Sequence, residues 1–149
     1  MKYYNQGQAL NQKILEGVDI LADNVVTTLG PRGRNVALYH KEENLPVITK
    51  DGVTIAKFIE LEDPFQNLGA QVIKQAAEET VNNAGDGTTT AIVLARAILK
   101  ESQRYLIAGA SPVELKRGID KATDLIVEKL TEMSRPIQTV EDIEHIATI

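Results

Sequence analysis

The chain contains no cysteine, which excludes a disulfide framework and any thiolate metal site and fits a reducing compartment. It also lacks tryptophan and holds only two phenylalanines and four tyrosines among 149 residues. Its hydrophobic share of 43% therefore consists mostly of Ala, Ile, Leu and Val, which suits packed helices better than an aromatic-rich β-sandwich. A chain of this length can bury roughly 68–70% of its unfolded surface, enough for one domain with a real core. Lysines and arginines never gather into a run, and 21 acidic residues outnumber 16 basic ones to give a net charge of −5. The basic stripe that nucleic-acid binding requires is missing. No segment approaches the roughly 20 apolar residues of a membrane span, and Met1–Gly7 is too polar for the core of a signal peptide. These absences point to a soluble cytoplasmic protein with neither a nucleic-acid nor a membrane partner.

Two familiar nucleotide motifs are missing as well. No Gly-Lys-Ser/Thr triplet occurs, so there is no P-loop. Thr90 stands where a dinucleotide-binding G-x-G-x-x-G needs its third glycine, and Ala76–Val81 ahead of it reads as helix rather than strand.

What is present is mainly helical. Leu10, Ile14, Val18, Leu21, Val25 and Leu29 recur at steps of three and four and define one helical stripe. Gly30-Pro31-Arg32-Gly33 stops it, because proline and two glycines favour a tight turn. Asn35–His40 and Pro46–Lys50 are short β-type runs flanking the polar Lys41-Glu42-Glu43-Asn44, which predicts a hairpin. Val53–Ile59 follows the turn signal Asp51-Gly52. Periodicity leaves its type open, and a short helix is expected.

After Asp63-Pro64, the pattern predicts a helix with Phe65, Leu68, Val72, Ile73 and Ala76 on its apolar side, ending near Gly85. A further helix runs to about Ala108, with Gly109 as its C-terminal cap. Ser111-Pro112-Val113-Glu114 has the composition of a capping box. The stripe that follows, Leu115, Ile119, Ala122, Ile126, Leu130 and Met133, reads as core. Pro136 ends it, and a last short helix is expected from Thr139.

Gly85-Asp86-Gly87-Thr88-Thr89-Thr90 runs directly into an uninterrupted helical pattern. Helix N-termini present unpaired N–H groups and partial positive charge, which bind anions. The glycines admit close approach of a polyphosphate, the threonines add hydroxyls, and Asp86 offers an oxygen ligand to Mg²⁺. Taken alone, the same residues are equally those of an ordinary capped loop-to-helix junction. His40 and His145 lack metal-ligand spacing and receive no role.

Three segments in order, Thr28–Asn35, Ile48–Val53 and Gly85–Thr90, together resemble the N-terminal part of a group I chaperonin of the GroEL type. Leu61–Gln71 and Leu115–Ala122 extend the similarity over nearly the whole chain. The combination is far more specific than any one segment, and structural context of this kind favours the phosphate-site reading.

The resemblance implies the N-terminal half of an equatorial domain, a mainly α helical bundle with a small β-hairpin, over 1–134. The start of an intermediate domain would follow over 135–149. It implies ATP, Mg²⁺ and K⁺ as ligands. Asp86 would ligate the metal, while Gly87, Thr88, Thr89 and Thr90 would hold the phosphates. Leu29, Gly30 and Pro31 would line the nucleotide from the opposite side, with Thr28 and the Lys50 backbone near the monovalent cation. Asp51 would stand beside the γ-phosphate and the attacking water, as its catalytic carboxylate. The resemblance further implies a homo-oligomer, a double heptameric ring in the family, with unfolded proteins and a co-chaperonin engaged through domains that do not fit in this length. A fragment without ATP turnover of its own is therefore the expectation. The alternative is a divergent or naturally short interaction module of the same fold. Met1–Gln6 and the hairpin tip Lys41–Leu45 depart from the usual family wording, and in the family both regions pair between neighbouring subunits.

Overall fold

The computed structural model describes residues 3–39 and 45–148, so Met1, Lys2, His40, the hairpin tip at Lys41–Asn44 and Ile149 lie outside the described residues. The elements are α1 (Gly7–Val26), β1 (Val36–Tyr39), β2 (Pro46–Thr49), α2 (Gly52–Phe58), α3 (Pro64–Ala84), α4 (Thr88–Ile107), α5 (Pro112–Met133) and α6 (Val140–Ala147). The chain is thus mainly α with one small antiparallel hairpin, the fold class expected from its aliphatic composition. Two compact units divide it, Met1–Arg104 and Tyr105–Ile149.

The first unit is built around α1. Val18, Leu21, Ala22 and Val25 are fully buried there, together with Ile55 of α2, Ala70 and Ile73 of α3 and Ile92 of α4. Leu38 of β1 closes the cluster. The strands pair from Val36 opposite Thr49 to Tyr39 opposite Pro46. Val53–Ile59, left open by periodicity, is helical through Phe58, with Ile55 and Ala56 turned into the core.

Where α1 and α3 meet, each helix presents a glycine to the other's backbone. A Cβ on Gly17 would land on the carbonyl of Gln66, and one on Gly69 would land on the carbonyl of Ile14. This close approach corrects two sequence expectations. The buried side of α3 is Gly69, Ala70, Ile73, Lys74 and Ala77, whereas Leu68 and Val72 are exposed. Small residues face α1 because the two backbones nearly touch, and the larger aliphatics are displaced outward. Leu29 also leaves the buried stripe: α1 ends at Val26, and Leu29 sits exposed in the turn beyond it.

Polar contacts fix the same helices. Asp63 caps α3 by accepting from the amides of Phe65 and Gln66 at 2.9 and 3.1 Å, and it pairs with Lys13 of α1 at 2.6 Å. The Lys13 ammonium, followed by these amides, holds the Asp63 carboxyl below the ordinary carboxylate range. Stability contributed by Asp63 is therefore complete above the ordinary carboxylate pKa near 3.9 and is lost as pH falls through its depressed folded value. Asp63→Asn is expected to lower the melting temperature at pH 7. The difference from the parent chain should shrink steadily in melts recorded at decreasing pH below 4.

In the second unit, Gly109 (φ 93) terminates α4. The amide of Gly109 reaches the Leu106 carbonyl at 3.0 Å and that of Ala110 reaches Tyr105 at 2.9 Å, the paired bonds of a glycine C-cap. Two expectations fail here. Ser111 precedes α5 but makes no side-chain cap bond, and Glu114 binds Arg117 at 2.9 Å instead, so the expected capping box is absent. The box that does form belongs to α6, where Thr139 and Asp142 satisfy each other's backbones. The α5 stripe is not core in this chain: α5 buries none of its residues, and Ile126, Leu130 and Met133 are all more than half exposed. A regular apolar stripe specifies an amphipathic helix, but it does not specify what covers the face.

Candidate functional site

Three chain segments of the first unit meet at a cleft of about 390 Å³, lined by Thr28, Leu29, Gly30, Lys50, Asp51, Gly52, Asp86, Gly87, Thr88, Thr89 and Thr90. The first segment is the turn after α1. Thr28 Oγ1 donates to the Val25 carbonyl at 2.7 Å, and Gly33 N to the Gly30 carbonyl at 2.9 Å. Gly30 takes φ 75, a left-handed conformation that glycine adopts without steric cost.

The second segment joins β2 to α2. The amide of Asp51 is held by Thr49 Oγ1 at 3.0 Å, which ties the corner to the end of the hairpin. The Asp51 carboxylate then caps α2. Oδ1 accepts from Val53 N at 3.3 Å, while Oδ2 accepts from Thr54 N at 3.0 Å and from the Thr54 hydroxyl. The Thr54 hydroxyl, with both amides and Lys57 in support, lowers the Asp51 pKa below its ordinary value despite partial burial. Asp51 is accordingly an ionised acceptor at neutral pH, suited to orienting a water through its remaining lone pairs and poorly suited to taking its proton.

The third segment is the start of α4. Gly85 ends α3 at φ 74 and Gly87 follows at φ 83, two left-handed residues in the short connection between α3 and α4. The Gly87 amide donates to Asp86 Oδ1 at 2.6 Å, which leaves Asp86 Oδ2 available as a ligand. The Gly87 carbonyl accepts the first α4 bond, from Ala91 at 2.9 Å. The amides of Thr88, Thr89 and Thr90 therefore precede any intrahelical partner, as in every first helical turn. The second and third segments touch: a Cβ on Gly52 would run into Thr89 Oγ1 and lie 3.2 Å from Val25 Cγ1 and 3.4 Å from Thr88 Oγ1.

Of the residues singled out in the sequence, Thr28, Leu29, Gly30, Lys50, Asp51, Asp86, Gly87, Thr88, Thr89 and Thr90 all line this cleft, and Pro31 does not. Gly52 also lines it and was not singled out; its signal was the Asp51-Gly52 dipeptide, read only as a turn. Among the described residues, no three His, Asp or Glu side chains converge on a point that would hold a metal ion. The cleft's lining offers two carboxylates, four threonine hydroxyls, of which that of Thr28 is already bonded to Val25, and free amides. That suits a hard cation carried in by phosphates, since Mg²⁺ is ordinarily held by one or two carboxylates with phosphate and water completing its shell.

No helix among the described residues is long and apolar enough to cross a membrane. Residues 21–149 match the model of the TCP-1/cpn60 chaperonin family. The chain belongs to that family of protein-folding chaperones.

Proposed function

We propose that this chaperonin chain binds the phosphates of Mg-ATP in the cleft between Thr28–Gly30, Lys50–Gly52 and Asp86–Thr90, as the nucleotide-binding part of a cytoplasmic, ATP-driven folding machine of the group I type. One observation carries the reading. The unpaired first-turn amides of α4 open onto the same cleft as two carboxylates and a left-handed glycine turn, drawn from three separate chain segments. A lone loop-to-helix junction has no need of the other two walls.

In this reading the α4 amides and the threonine hydroxyls receive phosphate oxygens, with the partial positive charge of the helix end in support. Asp86 holds Mg²⁺ through its free oxygen, and the ion neutralises charge on the phosphates when bound. Asp51, fixed by its three bonds within α2, orients the attacking water. The backbone at Thr28 and Lys50 offers oxygens to K⁺. Fixed donors aimed at developing charge supply most of the rate in phosphoryl transfer, which needs no covalent nucleophile from the protein. In the proposed assembly, residues 1–134 form the ATP-binding equatorial portion and 135–149 begin an intermediate domain. Further domains of the same machine would engage unfolded protein and a co-chaperonin, and subunits would associate into a ring.

The two carboxylates separate in a titration. Asp86→Ala is expected to weaken Mg-ATP binding at least tenfold by isothermal titration calorimetry, with little effect on ATP affinity measured without the metal. Asp51→Asn keeps an oxygen acceptor for the cap and should leave Mg-ATP affinity within about threefold. Unchanged Mg-ATP affinity in the Asp86 variant would remove the metal assignment.

A further inference from the structure

Among the described residues, the fold buries one cation that the proposed chemistry does not use. Lys74 lies on the core-facing side of α3 at 8% exposure, between Ile73 and Ala77 in a face otherwise made of small and aliphatic residues. Its Nζ donates to the main-chain carbonyl of Lys57 at 3.4 Å. No carboxylate lies within ion-pair distance of it among the described residues. On a side chain this buried, an ammonium with three donors and a single long bond is a costly choice, and an aliphatic side chain of similar length would fill the same volume.

The carbonyl it reaches explains its placement. Lys57 O belongs to the last turn of α2, whose terminal carbonyls lack intrahelical donors and carry the negative end of the helix dipole. A cation there satisfies an orphan acceptor and complements that charge. α2 has only seven residues, roughly 10 Å at 1.5 Å per residue, and so short a helix is marginal without support at both ends. Its N-terminal end is the Asp51-Gly52 corner of the cleft, and Asp51 caps it there. Lys74 grips the opposite end.

We propose that Lys74 is a positioning residue for the cleft: bonded to the carbonyl of Lys57, it fixes α2 from behind and thereby sets the Asp51-Gly52 corner against Thr88 and Thr89. The nucleotide consequence rests on the function proposed above; the mechanical coupling does not. Hydrogen exchange on the chain, read at single amides by NMR, tests the coupling, with calorimetric titration of Mg-ATP beside it. In Lys74→Met the Val53 and Thr54 amides held by Asp51 should exchange at least tenfold faster. The Phe65 and Gln66 amides held by Asp63 should stay within twofold, and the melting temperature should not fall. Mg-ATP affinity should drop threefold to tenfold, and Lys74→Arg should restore both readouts. Unchanged exchange at Val53 and Thr54 would overturn the proposal. So would a uniform rise at all four amides, or unfolding of both Lys74→Met and Lys74→Gln, since either result would make Lys74 a general stability residue. If the parent chain fails to bind Mg-ATP, the proposed function falls while the exchange arm still decides the coupling.

Discussion

Gly17→Ala and Gly69→Ala should each lower the melting temperature by about 3–5 °C, the largest stability effects expected from methyl additions at the mid-helix glycines of this chain. In each case the new Cβ meets a backbone carbonyl of the partner helix, Gln66 or Ile14, and a carbonyl cannot rotate away as a side chain can. Overpacking of this kind costs about 1–3 kcal/mol and occasionally more, while removing a mid-helix glycine returns roughly 0.5–1 kcal/mol. The balance of about 1–1.5 kcal/mol corresponds to that shift for a chain of this size. The two substitutions should also be non-additive, because the helices need to separate only once. Thermal melts of the two single variants and the double variant measure both points. A neutral or stabilising Gly17→Ala would mean that α1 and α3 do not approach as described.

Gly52→Ala should reduce Mg-ATP affinity at least tenfold by calorimetric titration while leaving the core intact. The added methyl would collide with Thr89 Oγ1 and crowd Thr88 Oγ1 and Val25 Cγ1. Val25 is fixed in the core, so the strain must be relieved by turning the Thr89 hydroxyl or by moving the start of α2. Either movement disturbs a wall of the cleft. Gly118→Ala is the control, since its Cβ would enter open space. A Gly52→Ala chain that binds Mg-ATP as tightly as its parent would separate Thr89 and α2 from the phosphate site.

The elements and most of the cleft were legible in the residues. Periodicity gave the long helices, the two β-type runs gave the hairpin, and Gly30, Gly85 and Gly109 marked turns at which only a left-handed residue continues the chain. The segments holding Asp51 and Asp86 were recognisable because each combines turn residues with chemistry on the same few positions. The faces were less legible. Leu68, Val72 and the α5 stripe are as apolar as true core residues, yet none of them is buried, while Gly69 and Lys74 are. Hydrophobic pattern reports which side of a helix avoids water on average. It does not report how closely two backbones approach.

Sequence by itself therefore determined local conformation: where helices start and stop, which corners need glycine, and which short segments carry phosphate-compatible chemistry, because these depend on neighbours within a turn. Tertiary structure alone decided the α1–α3 glycine contact, the meeting of Gly52 with Thr89, and the reach of Lys74 to the end of α2. Those contacts join residues from about 17 to 55 positions apart, and their distances are fixed only when the whole core of the first unit closes around them.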